Sequence, residues 1–444
     1  MSGRSRIGRG EGAFSAVSYC RVCQASCGVV IDIEDGRILN VRGDPENPLS
    51  RGYICSKGRE AAAVYHGENR LRAAMRRGRD GGFEPVKTED ALDAIAKRLV
   101  RIREESGPDS IALFTGTYAL FGALTVPFAR AWLRGLGSTA LYTTGTIDQS
   151  AKWIVPFRMG RWEGGWQNFE DADVWLLSGT NPLVSMQGGG TLTGFPAYDP
   201  VARLREAKAR GLKLIVIDPR ATETARQADI HLQPVAGEDA AIFAGILNIV
   251  FDERLYDADF CERYVGDLDA LRSAVASFSP DVVAQRAGLD IDDLVEAARI
   301  FARSKRGMAH SGTGPDMGPH SNLTAHLIAA LNVVCGRYAR AGDRVGNPGV
   351  LTRRGVRREA VTPPVRHWED ENIRPIHGYG TLWGERPTNV LPETMLSKGA
   401  DRVRALITVG ANPIACWPDQ SRTREALSAL DFYVVLDPRL TETA

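Results

Sequence analysis

Short apolar runs separated by stretches of helical spacing organise most of this chain. Near the start, Val29–Ile33 and Ile38–Val41 flank the turn Glu34-Asp35-Gly36. That pattern predicts a β-hairpin, because Asp-Gly accepts the left-handed backbone of a tight turn. From Thr88 onward, Leu92, Ile95, Leu99 and Ile102 recur at a spacing that lines one face of a helix. Thr88 is placed to cap it, and Glu89 and Asp90 fill the first turn, where the helix dipole favours acids. Beyond Ser110 the period changes again, to a strand over Ile111–Phe114, a helix from Leu120 to Leu136 and a strand at Leu141-Tyr142. Such alternation predicts an α/β fold.

The clearest unit of this kind begins with the apolar strand pattern Asp173–Leu177 and the turn Ser178-Gly179-Thr180-Asn181-Pro182. A glycine-rich loop follows, then a helix over Val201–Arg210 closed by Gly211, and a strand over Lys213–Ile217 ending at Asp218-Pro219-Arg220. A second copy runs from Ala405–Val409 through Gly410-Ala411-Asn412-Pro413 and a helix from Ser421 to Leu430. It closes with Phe432–Leu436 and Asp437-Pro438-Arg439. The tails, Asp-Pro-Arg-Ala-Thr-Glu-Thr-Ala at 218–225 and Asp-Pro-Arg-Leu-Thr-Glu-Thr-Ala at 437–444, differ at one position in eight. A repeat of that fidelity predicts two related βαβ lobes with right-handed crossovers.

In each copy a glycine, Gly179 or Gly410, lets backbone N–H groups approach a phosphate, with Asn181 or Asn412 beside it. Asp218 or Asp437, at the tip of the next strand, is placed for a ribose hydroxyl or a base edge. Arg220 is placed for a phosphate or to hold the turn. A stable βαβ turn alone could use the same residues; the matching second copy is what favours ligand binding. The first copy continues past its tail into a further strand, turn and helix start, whereas the second stops at Ala444, so the repeat reads as interrupted. Between the copies lie a helix over Asp292–Arg303, a strand over Gly307–His310 and a helix from Ser321 to Gly336. The loop Ser311-Gly312-Thr313-Gly314 between the last two makes Gly312 and Gly314 candidate cofactor contacts, and equally plain turn residues. His310, just before that loop, reads as a packed core histidine.

Composition narrows the class. A length of 444 residues predicts two to four domains, and 43% hydrophobic with 25% charged residues is a globular balance. A net charge of +1 gives no argument for nucleic acid or a membrane surface as partner. The basic runs Arg70–Arg79 and Arg353–Arg358 read as solvated faces. No apolar run reaches the roughly 18 residues of a membrane span. The N-terminus has no apolar export core, so the expected compartment is the cytoplasm, where thiols stay reduced.

Four of the seven cysteines, Cys20, Cys23, Cys27 and Cys55, fall in the first 55 residues at spacing C-x2-C-x3-C-x27-C. Four thiolates can hold a tetrahedral zinc or an iron–sulfur cluster; three crowded ligands and a late fourth lean towards a [4Fe–4S] cluster. Lys57, next to Gly58 and just after the last of them, could reach towards whatever exchanges electrons with such a cluster. Cys261, Cys335 and Cys416 read as small buried hydrophobes.

The cysteine motif ending in Cys-x-Lys-Gly, the two Gly-x-Asn-Pro…Asp-Pro-Arg units and the Ser-Gly-Thr-Gly loop together resemble the molybdopterin oxidoreductases. More narrowly they are similar to the dimethyl-sulfoxide-reductase family, which includes formate dehydrogenases and periplasmic nitrate reductases. The resemblance implies a [4Fe–4S] cluster on Cys20, Cys23, Cys27 and Cys55, and molybdenum or tungsten carried by two pterin guanine dinucleotides (bis-molybdopterin guanine dinucleotide). It implies Lys57 between cluster and pterin, and one dinucleotide on each lobe through Gly179, Asn181 and Asp218 or Gly410, Asn412 and Asp437. Asp239, in Pro234-Val235-Ala236-Gly237-Glu238-Asp239, becomes a candidate for the guanine. The implied architecture is a small iron–sulfur lobe at 15–68 and two related Rossmann-like three-layer α/β/α lobes at 69–335 and 336–444, with 69–110 free to pack on either.

The implied activity is two-electron oxygen-atom or hydride transfer on a small molecule, with electrons leaving through the cluster to an electron-transfer protein or redox subunit. Two departures stand out. Where the family's formate dehydrogenases and nitrate reductases place a cysteine or selenocysteine metal ligand, this chain has Ile154, leaving Asp148 and Lys152 as candidates near the metal. A further β-rich domain that completes the pterin site in the family is absent from this sequence. The alternative is a non-catalytic electron-transfer subunit resembling the large iron–sulfur subunit of respiratory NADH dehydrogenase.

Overall fold

The computed structural model describes residues 12–23, 25–122, 124–185, 194–196, 198–344, 356–366 and 377–444. The glycine-rich loop expected after Pro182 is mostly outside these residues, as are Arg353 and Arg354 of the second basic run.

The strands, in chain order, begin with β1 (Phe14–Tyr19), β2 (Gly28–Glu34) and β3 (Arg37–Gly43), then β4 (Ala74–Arg77) and β5 (Phe83–Val86). Next come β6 (Ile111–Thr115), β7 (Leu141–Thr143), β8 (Arg161–Trp162), β9 (Val174–Ser178), β10 (Lys213–Ile217) and β11 (Ile230–Leu232). The last are β12 (Gly307–Ser311), β13 (Val361–Thr362), β14 (Ala405–Val409) and β15 (Phe432–Leu436). β1, β2 and β3 form an antiparallel sheet, and its predicted hairpin turns on Asp35 and Gly36, both at positive φ, 47° and 75°.

The chain divides into two compact units, Met1–Ile147 with His367–Ala444, and Asp148–Arg366. The first, unit 1, holds the small lobe and a parallel sheet in the order β15-β14-β6-β7; unit 2 holds a parallel sheet in the order β11-β10-β9-β12. This corrects the expected boundary at 335. β6 and β7 pair beside β14, so the stretch before Ile147 shares a sheet with the end of the chain. Sequence neighbourhood favoured joining it to the copy that follows; hydrogen bonding along β14 decides otherwise.

The long apolar runs become these parallel strands because a strand covered on both faces needs apolar side chains at every position. β6, β9 and β12 are buried along their whole length. The helix Asp239–Asp252 is buried over Ala241–Phe251, as a helix apolar all round must be, and joins the β9 and β10 side chains in the largest core of unit 2. In unit 1 the helix Thr88–Ser106 buries Leu99 and Ile102 against Ile111, Leu113 and Ile407. Its predicted stripe is shorter than expected: Leu92 stands 60% exposed, and Lys87 rather than Thr88 occupies the cap position, with no side-chain bond. Cys261 and Cys335 are buried as expected, but Cys416 is exposed, at the end of the short helix Pro413–Cys416.

Candidate cofactor sites

In the small lobe, the loop from β1 to β2 brings Cys20 and Cys27 together through the Cys20 N–H to Cys27 O bond of 2.8 Å. Cys55 caps the helix Ser56–Arg59, which carries exposed Lys57 and buried Gly58. A Cβ on Gly58 would stand 3.2 Å from Cys20 Sγ and 2.7 Å from Ile54, so glycine lets this helix close on the thiol. Burial pushes the Cys27 thiol up to about 11, and Cys23, Cys20 and Cys55 push it the same way. Cys20 is raised by burial, with Cys23 and Cys55 adding to it against a bond from the Val22 N–H. Cys20 and Cys27 therefore resist ionising alone, and the other two thiols lie near enough to add to that resistance. That donor set suits a cationic iron–sulfur core, which would ionise them. Among the described residues no three His, Cys, Asp or Glu side chains form a ready single-ion site.

The two repeat copies carry the same turn geometry. Gly179 and Gly410 have φ of 57° and 59°, and their N–H groups donate to Ile217 O at 2.8 Å and Leu436 O at 2.9 Å. Asn181 Nδ2 donates to Glu223 at 2.7 Å, and Asn412 Nδ2 to Glu442 at 2.8 Å. The asparagine oxygens accept from Thr224 Oγ1, at 2.7 Å, and from Thr443 Oγ1. Arg220 and Arg439 donate their backbone N–H to Asp218 and Asp437 at 2.9 and 3.0 Å. The near-identical tails thus exist to clasp the turns: asparagine, threonine and glutamate lock each loop at the carboxyl end of its sheet, where ligands bind in such folds. Arg220 is exposed, and its side chain is available to solvent-side groups.

The likeness extends to a third strand that sequence reading did not pair. Gly312 follows β12 and donates its N–H to Ser178 O at 2.8 Å; Gly116 follows β6 and donates to Val409 O at 3.0 Å. A Cβ on Gly312 would stand 2.6 Å from Gly179 O, and one on Gly116 2.9 Å from Ala411 Cα. The signal was present: Thr115-Gly116-Thr117 answers Ser311-Gly312-Thr313. Gly314 completes the unit 2 turn, with its N–H on Gly179 O at 3.2 Å.

The copies also differ. Ser178 Oγ donates to Asp239 Oδ1 at 2.9 Å, where unit 1 has Val409. Burial raises the Asp239 carboxyl, which the Ser178 bond opposes. Buried Asp316 and half-buried Asp148 and Lys152 form a charge cluster beside the unit 2 turn. Lys152 Nζ lies 3.3 Å from Asp316 Oδ2 and donates to Gln149 Oε1 and, at 2.5 Å, to Ser311 O. Burial lowers the Lys152 ammonium and raises the Asp316 carboxyl, while their mutual attraction opposes both shifts. Asp148 is raised by burial, against the Gln149 bond and the Lys152 charge. Asp316 Oδ1 is buried with no hydrogen-bond partner among the described residues. Asp316 and Gln149 carried no sequence signal, because a buried acid or amide is spelled like an exposed one. Ile154 sits half-buried on the first turn of the helix Ala151–Met159. His310 is buried and stacked on Trp175 at 5.3 Å, and burial holds it down to about 3, so it is a neutral packing group.

Comparison with known proteins agrees with both parts of this geometry. Residues 15–67 match the model of the molybdopterin oxidoreductase Fe4S4 domain, and residues 70–444 match that of molybdopterin oxidoreductase. Together these indicate a [4Fe–4S] cluster and a molybdopterin cofactor with molybdenum or tungsten. The F420-dependent formate dehydrogenase subunit alpha of Methanocaldococcus jannaschii is 26% identical over 96% of this chain and 62% of its own length. The periplasmic nitrate reductase of Desulfovibrio desulfuricans is 24% identical over 94% of this chain and 57% of its own. The structure of acetylene hydratase from Pelobacter acetylenicus superposes with a TM-score of 0.77 at 22% identity, covering 96% of this chain and 61% of that one, a likeness of fold. The chain thus spans about three-fifths of the length of these relatives. No described helix is long and apolar enough to cross a membrane.

Proposed function

Because the chain belongs to the molybdopterin oxidoreductase family, we propose that the whole protein catalyses a two-electron oxygen-atom or hydride transfer on a small molecule, passing electrons singly through the cluster. The observation that carries this reading is the pair of matching turns, Gly179-Asn181-Asp218 and Gly410-Asn412-Asp437, in a chain that also gathers four thiols. Bound there, the molybdopterin and its metal would supply the redox centre.

The chain's own residues bind and orient. Cys20, Cys23, Cys27 and Cys55 would hold the cluster, and Lys57, exposed on the helix that follows, would stand between cluster and pterin. Backbone N–H groups beside Gly179, Gly312 and Gly314 in unit 2, and beside Gly410 in unit 1, would receive phosphates of a guanine dinucleotide, the glycines' own N–H groups being bonded to carbonyls. Asp218 and Asp437 take ribose or base edges, Asp239 takes the guanine N–H groups, and Arg220 reaches a phosphate. Asp148 and Lys152, six and two residues before the metal-ligand position at Ile154, are the groups assigned to the neighbourhood of the metal, with Lys152 held by Asp316. Ile154 offers no donor atom, which sets the metal site apart from the cysteine-type or selenocysteine-type sites of formate dehydrogenases and nitrate reductases. The protein works in the cytoplasm with an electron-transfer protein or redox subunit as partner.

Metal and nucleotide analysis of anaerobically purified protein tests the reading. About four irons and about one molybdenum or tungsten per chain, with guanine nucleotide released by acid, is the expected result. Iron alone would move the assignment to a non-catalytic electron carrier, and zinc alone would refute both.

A further inference from the structure

The two turns that answer each other in sequence are not held alike. In unit 2 the turn Gly312–Gly314 is tied from behind by side chains of the preceding segment. Lys152 Nζ donates to Ser311 O and lies within reach of Gly312 O, at 2.5 and 3.3 Å, and within 3.3 Å of Asp316 Oδ2. Ser311 Oγ donates to the same carboxylate oxygen at 3.3 Å, and Gln149 Nε2 donates to Thr313 Oγ1 at 3.3 Å. The lysine side chain is 15% exposed and the aspartate 1%. Gln149 is held at φ 51°, a strained backbone for a residue with a side chain, and its amide bonds both Lys152 and Thr313.

The matching turn of unit 1 lacks the acid of that ion pair. Counting from Gly116 as Asp316 is counted from Gly312, the position is Leu120, which carries no charge. There Thr117 Oγ1 lies 3.5 Å from Thr144 Oγ1, the outer limit of a hydrogen bond. A buried ion pair is poor evidence of stability, because desolvation cancels most of its attraction; its better-attested use is to select one conformation. All three Lys152 donors end on the turn or on its two anchors, so what it selects is the shape of that turn.

We propose that Lys152, Gln149 and Asp316 are positioning residues that preform the phosphate turn of unit 2, so that its nucleotide site binds more tightly than that of unit 1. The inference rests on the reading of both turns as nucleotide sites. A turn already held in its bound shape spares the ordering cost that the unit 1 turn meets on binding, which corresponds to a preference on the order of tenfold or more.

The test is equilibrium binding of guanosine diphosphate to the full chain freed of cofactor, in wild type and in Lys152→Met, Asp316→Asn, Gln149→Ala and Lys152→Met/Asp316→Leu. The expected wild-type result is two classes of site separated by about tenfold or more. Each single variant should bring the tighter class down to the weaker, while Asn412→Ala weakens only the weaker class. The double variant replaces the ion pair by apolar side chains of similar size and so separates positioning from stability. It should melt near wild type and still lack the tight class. Two equal sites in wild type, a tight class that survives the single variants, or one that returns with the double variant's stability would each overturn the inference while leaving the nucleotide reading intact. No binding at either site would overturn the nucleotide reading and the inference with it.

Discussion

Replacing Gly179 with alanine tests the close approach on which the unit 2 site depends. Two penalties combine there. At φ 57° a Cβ is strained by about 1–2 kcal/mol, the cost of a left-handed backbone for an L-residue. The new methyl would also overlap Pro315 Cδ and stand 3.0 Å from Gly314 Cα. A proline ring and a backbone carbon cannot swing aside, so overpacking adds about 1–3 kcal/mol. The total is about 2–5 kcal/mol. Gly288 in the same unit separates the two terms. It caps the helix Pro280–Ala287 at φ 67° and ψ 36°, and an added Cβ would meet Val235 Cγ2 at 3.5 Å, an ordinary contact. Gly288→Ala therefore carries only the strain. Thermal melts of the two variants side by side should place Gly179→Ala lower by about 2–12 °C, at roughly 2–4 °C per kcal/mol for a unit of this size. Guanosine diphosphate binding should fall in Gly179→Ala and persist in Gly288→Ala. Equal melting of the two variants would show that the loop is free to open away from Gly179, and the close-approach argument would fail.

Three further outcomes follow from other parts of the molecule. Burial raises the Asp239 carboxyl, so its ionisation opposes folding. The penalty is absent below the unfolded value of about 3.9 and full above the folded one. Asp239→Asn should therefore melt above wild type at pH 7, with the gain shrinking as pH falls towards 4, while guanine-nucleotide binding drops; a pH-independent offset would contradict the assignment. In unit 1, Glu385 is buried between Arg130 and Thr143, with its carboxyl raised by burial. Arg130→Met leaves an uncompensated buried acid and should destabilise by a few kcal/mol, more than Glu385→Gln, which keeps an acceptor for Thr143; denaturant melts yielding the reverse order would refute this. Serine at Cys20, Cys23, Cys27 or Cys55 should lower anaerobic iron content and the broad visible absorption, whereas serine at exposed Cys416 should leave both unchanged.

Much of the fold was legible because its determinants are local. β9, β10, β14 and β15 were readable as apolar runs, and their turns as Gly-x-Asn-Pro, since few residues tolerate φ near 57° or clasp a following threonine through a side-chain oxygen. The nearness of Cys20 and Cys27 was readable for the same reason: the short loop from β1 to β2 brings its two ends into backbone contact. What depends on a distant partner was not. The Thr88 helix has its apolar period in plain view, yet the period shows which face is covered and not how far cover extends, so Leu92 lies outside while Leu99 and Ile102 are buried. The segment holding β6 stands next to the first copy in sequence and pairs with the second, because the strand it belongs beside, β14, arrives some 290 residues later. Asp316 shows the limit most clearly. Four positions after Gly312 an acid reads as loop polarity, and only the ammonium of Lys152, brought to 3.3 Å by the helix Ala151–Met159, makes it a buried anchor. Unit 1 carries the same strand, glycine and threonine with leucine at that position. The difference between the two turns therefore rests on pairs of residues, and a pattern read one position at a time records the glycines of both lobes while passing over what distinguishes them.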